Sequence, residues 1–255
     1  MLKKIEGIKS FGFTTRVDSF LQSRDLLDDL VEFGCKSIEL GIESGSDSQL
    51  KRFDKGTTVS QNSEAVKIIL ELQERIPNFL YCIDLILFDP YLTVNELSET
   101  IQFMIDNDLN TSENENAMFN GMYLFQGTAI RKMAIHDKLA FDSPELPYYN
   151  FKDDIIAKIY SYIVIFLNTL HPLLKNISHL YNELIVSNEY NSTKNEINRI
   201  KAGKLFYKRD SVVFNYFKEI IETNGEYNTC QNIYSKYKTS ITKMNNTIVD
   251  IIKHF

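Results

Sequence analysis

The apolar positions of this chain switch repeatedly between a period of two and a period near 3.6 over its first half, then keep the longer period to the end. Phe11 to Asp18 reads as a strand. Ser23 is then expected to cap a helix whose apolar face is Leu26, Leu27, Leu30, Val31 and Phe33, with Gly34 closing it. Ile38, Leu40 and Ile42 alternate with other residues over Ser37–Glu43, the period of a second strand. Ser60 to Arg75 carries Ala65, Ile68, Ile69 and Leu72 on one helical side, and Pro77-Asn78 breaks it. Tyr81 to Phe88 is apolar almost throughout apart from Asp84, as expected of a strand buried on both faces. Thr93-Val94-Asn95-Glu96 is a capping box for a helix through Leu97, Thr100, Ile101 and Met104. A polar loop from Asn107 to Asn116 precedes an expected fourth strand, Ala117–Phe125, and a short helix after Gln126-Gly127-Thr128. Strands alternating with helices predict adjacent parallel strands with right-handed crossovers.

Past about Phe141 the pattern is different. Asp142 to Pro147 reads as a linker, which divides the chain into residues 1–141 and 142–255. Ile155, Ile156, Ile159, Ile163, Phe166, Leu167 and Leu170 fit a helix that Pro172 bends or ends. Asn191-Ser192-Thr193 is a cap before Glu196–Phe206, and one or two further helices run from Ser211 to Phe255. An α-helical C-terminal region is therefore expected.

Composition narrows the classes. A hydrophobic share of 44% supplies a packed core, and a net charge of -6 disfavours a general nucleic-acid binder. Tyr160 to Leu170, the longest apolar run, is too short to cross a membrane, and Met1–Glu6 lacks the apolar core of a signal peptide. Cys35, Cys82 and Cys230 are far apart, so no local metal site or disulfide framework is expected. Cys35 and Cys82 read as buried small hydrophobes, and three free thiols suit a reducing cytoplasm. The four histidines have no ligand spacing, and the basic stretch Lys194–Arg209 reads as a solvated helix face.

Chemistry is expected at the strand ends. Glu43 closes its strand before the polar turn Ser44-Gly45-Ser46, well placed to meet hydroxyls or an ammonium; capping that turn is its rival role. Lys55 lies just beyond and can equally be a solvated lysine. Asp84 interrupts an apolar strand, and burying a carboxylate without a partner is costly; a structural ion pair with Arg16 is the alternative to ligand binding. No catalytic residue is assigned.

Four ordered segments carry a resemblance: Arg16-Val17-Asp18; Gly41-Ile42-Glu43-Ser44-Gly45-Ser46 with Leu50 and Lys55; Asp84 to Glu96 with Ile86, Pro90 and Thr93; and Gly127-Thr128-Ala129-Ile130. Together they resemble the radical S-adenosylmethionine superfamily, especially members with an upstream cobalamin-binding domain, over about residues 10–140. The resemblance implies an α/β fold, an incomplete parallel (βα) barrel comprising the last four of six βα units, followed by the helical region. It implies S-adenosylmethionine contacts at Glu43, Lys55 (to the carboxylate), Asp84 (to the ribose) and Arg16. The family's C-x3-C-x2-C, which holds the 4Fe-4S cluster that cleaves S-adenosylmethionine to a radical, has no counterpart here. The implied function is thus the C-terminal part of a radical enzyme acting on an unreactive C–H position, inactive without its N-terminal half. Methyl transfer is implied where cobalamin is present. A separate N-terminal radical chain would supply the cluster and cover the open edge of the first strand. The alternative is a non-catalytic binding or scaffold protein that keeps the partial barrel.

Overall fold

The computed structural model describes residues 10–76, 78–111, 114–143, 148–186, 193–210 and 212–253. The chain divides into two compact units, one of residues up to Leu109 with Asn116–Lys152, the other of Asn110–Glu115 with Asp153 onward.

The first unit is built on three parallel strands in the order β1 (Phe11–Arg16), β2 (Cys35–Glu43) and β3 (Leu80–Leu85). Between them run α1 (Val17–Gln22), a single 3-10 turn (Arg24–Leu26), α2 (Leu27–Glu32), α3 (Asp47–Arg52) and α4 (Val59–Arg75). Beyond β3 come α5 (Val94–Asp106) and α6 (Ala129–His136). Ile38, Leu40, Ile42, Ile83 and Leu85 are buried on one sheet face, which the helices cover. Alternation turns the residues between them to the other face. There Gly12, Thr14 and Arg16 lie in register with Ser37, Glu39 and Gly41, and these with Leu80, Cys82 and Asp84. Leu80 is 66% exposed, and Cys82 is exposed rather than buried. β3 is therefore not covered on both faces as its apolar run suggests. One face of this parallel sheet is open and mostly polar.

Three further expectations are corrected. The first strand stops at Arg16: Val17 and Phe20 are both buried, a helical spacing, and Asp18 lies in the first turn of α1, where an acid is favoured. Ser23 caps nothing with its side chain, and α2 starts only at Leu27. The fourth strand, Ala117–Phe125, does not form. Glu115–Phe119 turns as a 3-10 helix, and the one strand-like link is a parallel bridge between Gly121 and Phe88. The Leu87 and Phe88 N–H groups both donate to the Asn120 carbonyl (3.0 and 3.2 Å), and the Met122 N–H donates to the Phe88 carbonyl (2.7 Å). Consecutive buried residues, Ala117 and Met118, break the period of two, and Asn120-Gly121 has poor strand propensity. The barrel expected from four βα units is reduced to a three-stranded sheet with a single bridge at its edge. The unit extends to Lys152 because Ala140 bridges Tyr149, whose hydroxyl donates to the Phe88 carbonyl (2.8 Å).

The second unit is helical: α7 (Asp154–Thr169), α8 (His171–Val186), α9 (Thr193–Asp210), α10 (Val212–Glu222) and α11 (Tyr227–Lys253). Asp153 caps α7 by accepting from the Ile155 N–H (2.8 Å), and Pro172 falls in the first turn of α8, where its missing N–H costs nothing. Phe166 stacks on Tyr216 at 4.3 Å, and the Tyr216 hydroxyl donates to the Tyr162 carbonyl (3.0 Å). Contrary to expectation, Asp154–Glu183 is long and apolar enough to cross a membrane by length and composition. It is divided at Leu170, however, and Ile156, Ile159, Ile163, Phe166, Leu174 and Ile177 are buried within the unit as core. Gly203 follows Ala202, a fully buried residue on α9. The expected linker, 142–147, and the expected cap, 191–193, fall largely outside the described residues.

Candidate functional site

Parallel strands bring their C-terminal ends to one edge of the sheet, and that edge collects the expected residues. Arg16 ends β1 opposite Gly41, and Gly41 lies opposite Asp84 of β3. Glu43 ends β2 with a left-handed backbone, φ 68°, and the register slips between Gly41 and Glu43 so that Glu43 pairs with Leu85. Asn62 of α4 holds this strand end: its Nδ2 donates to the Ile42 and Ser44 carbonyls, both at 2.9 Å.

Lys55 is not a solvated lysine. Its Nζ donates to Glu43 Oε1 at 2.6 Å, with the two side chains only 26% and 13% exposed. The Glu43 carboxylate lies back along its own strand, so that a Cβ on Gly41 would stand 3.0 Å from Oε1. Glu43 therefore does not cap the following turn; the Ser44 hydroxyl does, accepting from the Ser46 N–H (2.9 Å). Arg16 does not pair with Asp84. It forks onto Asp18, with Nε to Oδ1 and Nη2 to Oδ2 both at 3.0 Å, and Nη2 also donates to the Lys55 carbonyl at 2.5 Å.

Asp84 sits within reach of these charges without an ion-pair partner among the described residues. Burial pushes its pKa up; the neighbouring Glu43 and Glu39 carboxylates push the same way, against Lys55 and the Leu85 amide. The pKa of the Cys82 thiol is pushed up for similar reasons: partial loss of water around its sulfur, then Glu39 and Asp84. Among the described residues, the open face thus gathers Glu39, Glu43 and Asp84 against the ammonium of Lys55, since Arg16 is matched by Asp18. An excess of negative charge on a polar surface favours a ligand carrying positive charge. Glu39 was not picked out from the sequence, although its spacing to Gly41 and Glu43 puts all three on one strand face.

Behind the turn lies a second polar cluster that sequence reading missed. Arg52 of α3 donates to Asp89 (3.1 and 2.8 Å) and to Glu96 (2.8 and 2.9 Å). Gln49 donates to Asp89 (2.9 Å), Ser44 bonds Gln49 (2.5 Å), and Ser48 donates to Glu96 (2.6 Å). Burial opposes charge on Glu96, but the Arg52 and Ser48 bonds and the Thr93 amide outweigh it and hold its pKa down. Asp89 has no exposed side-chain surface. Every bond here is internal, so the cluster fixes α3 and α5 behind the turn rather than facing a ligand. Ser44, Gly45, Ser46 and Gln49 are structural: a Cβ on Gly45 would lie 2.4 Å from that of Phe103 on α5.

A thiolate-held cluster does not suit this chain. Cys35 is buried at the start of β2, Cys82 faces outward from β3, and Cys230 is buried on α11. Among the described residues no group of three or more His, Cys, Asp or Glu side chains could hold a metal ion.

No family model matches the chain. A curated relative, 4'-phospho-dehydrooxetanocin synthase of Priestia megaterium, is 33% identical over 115 residues, which is 41% of this chain and 15% of the relative. The cobalamin-dependent S-adenosylmethionine radical enzyme OxsB, solved with aqua-cobalamin and S-adenosylmethionine bound, superposes with a TM-score of 0.72 at 16% identity. That match covers 98% of this chain and 44% of OxsB. An apo form of OxsB gives 0.68 at 17% identity with the same coverage. The chain spans less than half the length of these proteins, consistent with the C-terminal portion expected from the four segments. In sequence over part of its length and in fold over nearly all of it, the chain is similar to a portion of the cobalamin-dependent radical S-adenosylmethionine enzymes.

Proposed function

We propose that this chain forms the S-adenosylmethionine-binding side of a radical S-adenosylmethionine enzyme and that the 4Fe-4S ligands come from outside this sequence, from a separate chain or from further sequence. The observation that carries this reading is the open, acidic sheet face whose C-terminal edge holds Glu43, Lys55 and Asp84 together. S-adenosylmethionine brings a sulfonium and an ammonium to such a surface, together with one carboxylate. Glu43 accepts from the ammonium, Lys55 meets the carboxylate, and Asp84 accepts from the ribose hydroxyls. Binding a cation also relieves the repulsion among Glu39, Glu43 and Asp84. When bound beside a reduced cluster, S-adenosylmethionine supplies a 5′-deoxyadenosyl radical that acts on an unreactive C–H position, with methyl transfer where cobalamin is also bound.

The test is anaerobic reconstitution with iron and sulfide, with dithionite as the electron donor that reduces the cluster, the chain alone and mixed with a protein bearing C-x3-C-x2-C. We expect 5′-deoxyadenosine from the mixture only. Cleavage by the chain alone would contradict the proposal. Binding of S-adenosylmethionine without cleavage in any mixture would favour a non-catalytic binding protein, a reading that the missing cysteine triad already motivates.

A further inference from the structure

Lys55 is held at three points. Its N–H donates to the Leu50 carbonyl (3.2 Å) at the end of α3, its ammonium to Glu43, and its carbonyl accepts from Arg16 (2.5 Å). It lies between two left-handed residues, Asp54 (φ 55°) and Gly56 (φ 70°), so this turn has a defined shape that the Arg16 bond closes against β1. The guanidinium in turn is oriented by its fork onto Asp18. Two of its five N–H donors are spent on the carboxylate and one on the Lys55 carbonyl. An exposed single ion pair would contribute little, but a bidentate arginine with a third, backbone acceptor fixes geometry.

We propose that Arg16 is a positioning residue: it orients the Lys55 turn, and through it the ammonium that receives a carboxylate-bearing ligand, without touching the ligand itself. The proposal deepens the S-adenosylmethionine reading given above and rests on it. It replaces the expectation that Arg16 is a ligand contact. Lysine at position 16 would keep the charge and lose the fork, and would therefore not restore the role.

A double-mutant cycle decides the matter, using S-adenosylmethionine titrated into the full chain. Arg16→Lys should weaken binding by roughly three- to tenfold, the scale of one ordinary hydrogen bond lost. In a Lys55→Ala background the same change should have no further effect, because Arg16 acts only through Lys55. With Asp84→Asn it should be additive. Additive losses with Lys55→Ala would show a direct contact and overturn the proposal. A ligand-free readout separates this from failure of the functional reading. The 15N–1H signal of the Lys55 ammonium, slowed in exchange by its ion pair, should broaden in Arg16→Lys and in Gly56→Ala, where the backbone alone is strained. If wild type binds no S-adenosylmethionine but that broadening occurs, the functional reading fails and the positioning role stands. An unchanged Lys55 signal in Arg16→Lys overturns the positioning role whatever the ligand does.

Discussion

Glu43 adopts φ 68° at the end of a strand, a conformation that costs a non-glycine residue about 1–3 kcal/mol. The Lys55 ion pair, the two Asn62 bonds and the Ile86 N–H on the Glu43 carbonyl (2.8 Å) hold it there. Asp84, beside it, works against stability. Because its folded pKa is raised, the folded chain binds more protons than the unfolded one between the two pKa values, so stability falls as pH rises through that window. The penalty is absent below about pH 4, the unfolded carboxyl range, and complete above the folded pKa. Asp84→Asn is therefore expected to raise the melting temperature at pH 7–8 by about 1–3 °C and to leave it unchanged at about pH 3. The same variant should bind S-adenosylmethionine more weakly. Equal melting temperatures at pH 8 would show that Asp84 is relieved by a partner. Asp84 was legible from sequence as a lone carboxylate in an apolar run. That its neighbours would be Glu39 and Glu43, with Arg16 turned away onto Asp18, was not, because the end of β1 depends on where α1 begins.

At the scale of elements, much of the Gly41–Lys55 segment serves packing. Ser44 and Ser46 are buried, Gly45 admits α5, and Gln49 and Arg52 satisfy Asp89. Arg52→Ala should cost about 3–5 kcal/mol in urea denaturation, since it leaves the buried Asp89 and Glu96 carboxylates short of their cation. The lowered pKa of Glu96 means that its contribution is present above its unfolded pKa and lost as pH falls through the folded one. The acid-dependent part of stability should therefore shrink in Arg52→Ala, and a loss under 1 kcal/mol at pH 7 would show that Gln49 and the Tyr91 amide suffice for Asp89. The capping box Thr93–Glu96 was readable from spacing, and the structure forms it. The second use of Glu96, as a partner of Arg52 across 44 positions, has no local signature. The fourth strand failed for the same kind of reason. Its apolar content was visible, but the buried neighbours Ala117 and Met118 fit a turn better than a strand.

At the scale of the molecule, the sheet unit and the helical unit each bury their own core, and alternation of periods in the sequence anticipated both kinds of element. What it could not show is that one sheet face stays open. An apolar run reads the same whether a helix or a ligand and partner cover it. Asp154–Glu183 shows the converse: its composition suits a membrane, whereas its buried isoleucines and Phe166 serve a core. The central claim, that S-adenosylmethionine binds at the C-terminal edge of the open face, is tested most directly by titrating it into the 15N-labelled chain and mapping amide shifts. Saturable shifts are expected, confined to Arg16–Val17, Gly41–Ser44, Asp54–Gly56 and Asp84–Ile86, and weaker with S-adenosylhomocysteine, which lacks the sulfonium charge. Shifts centred elsewhere, or equal binding of both compounds, would contradict it.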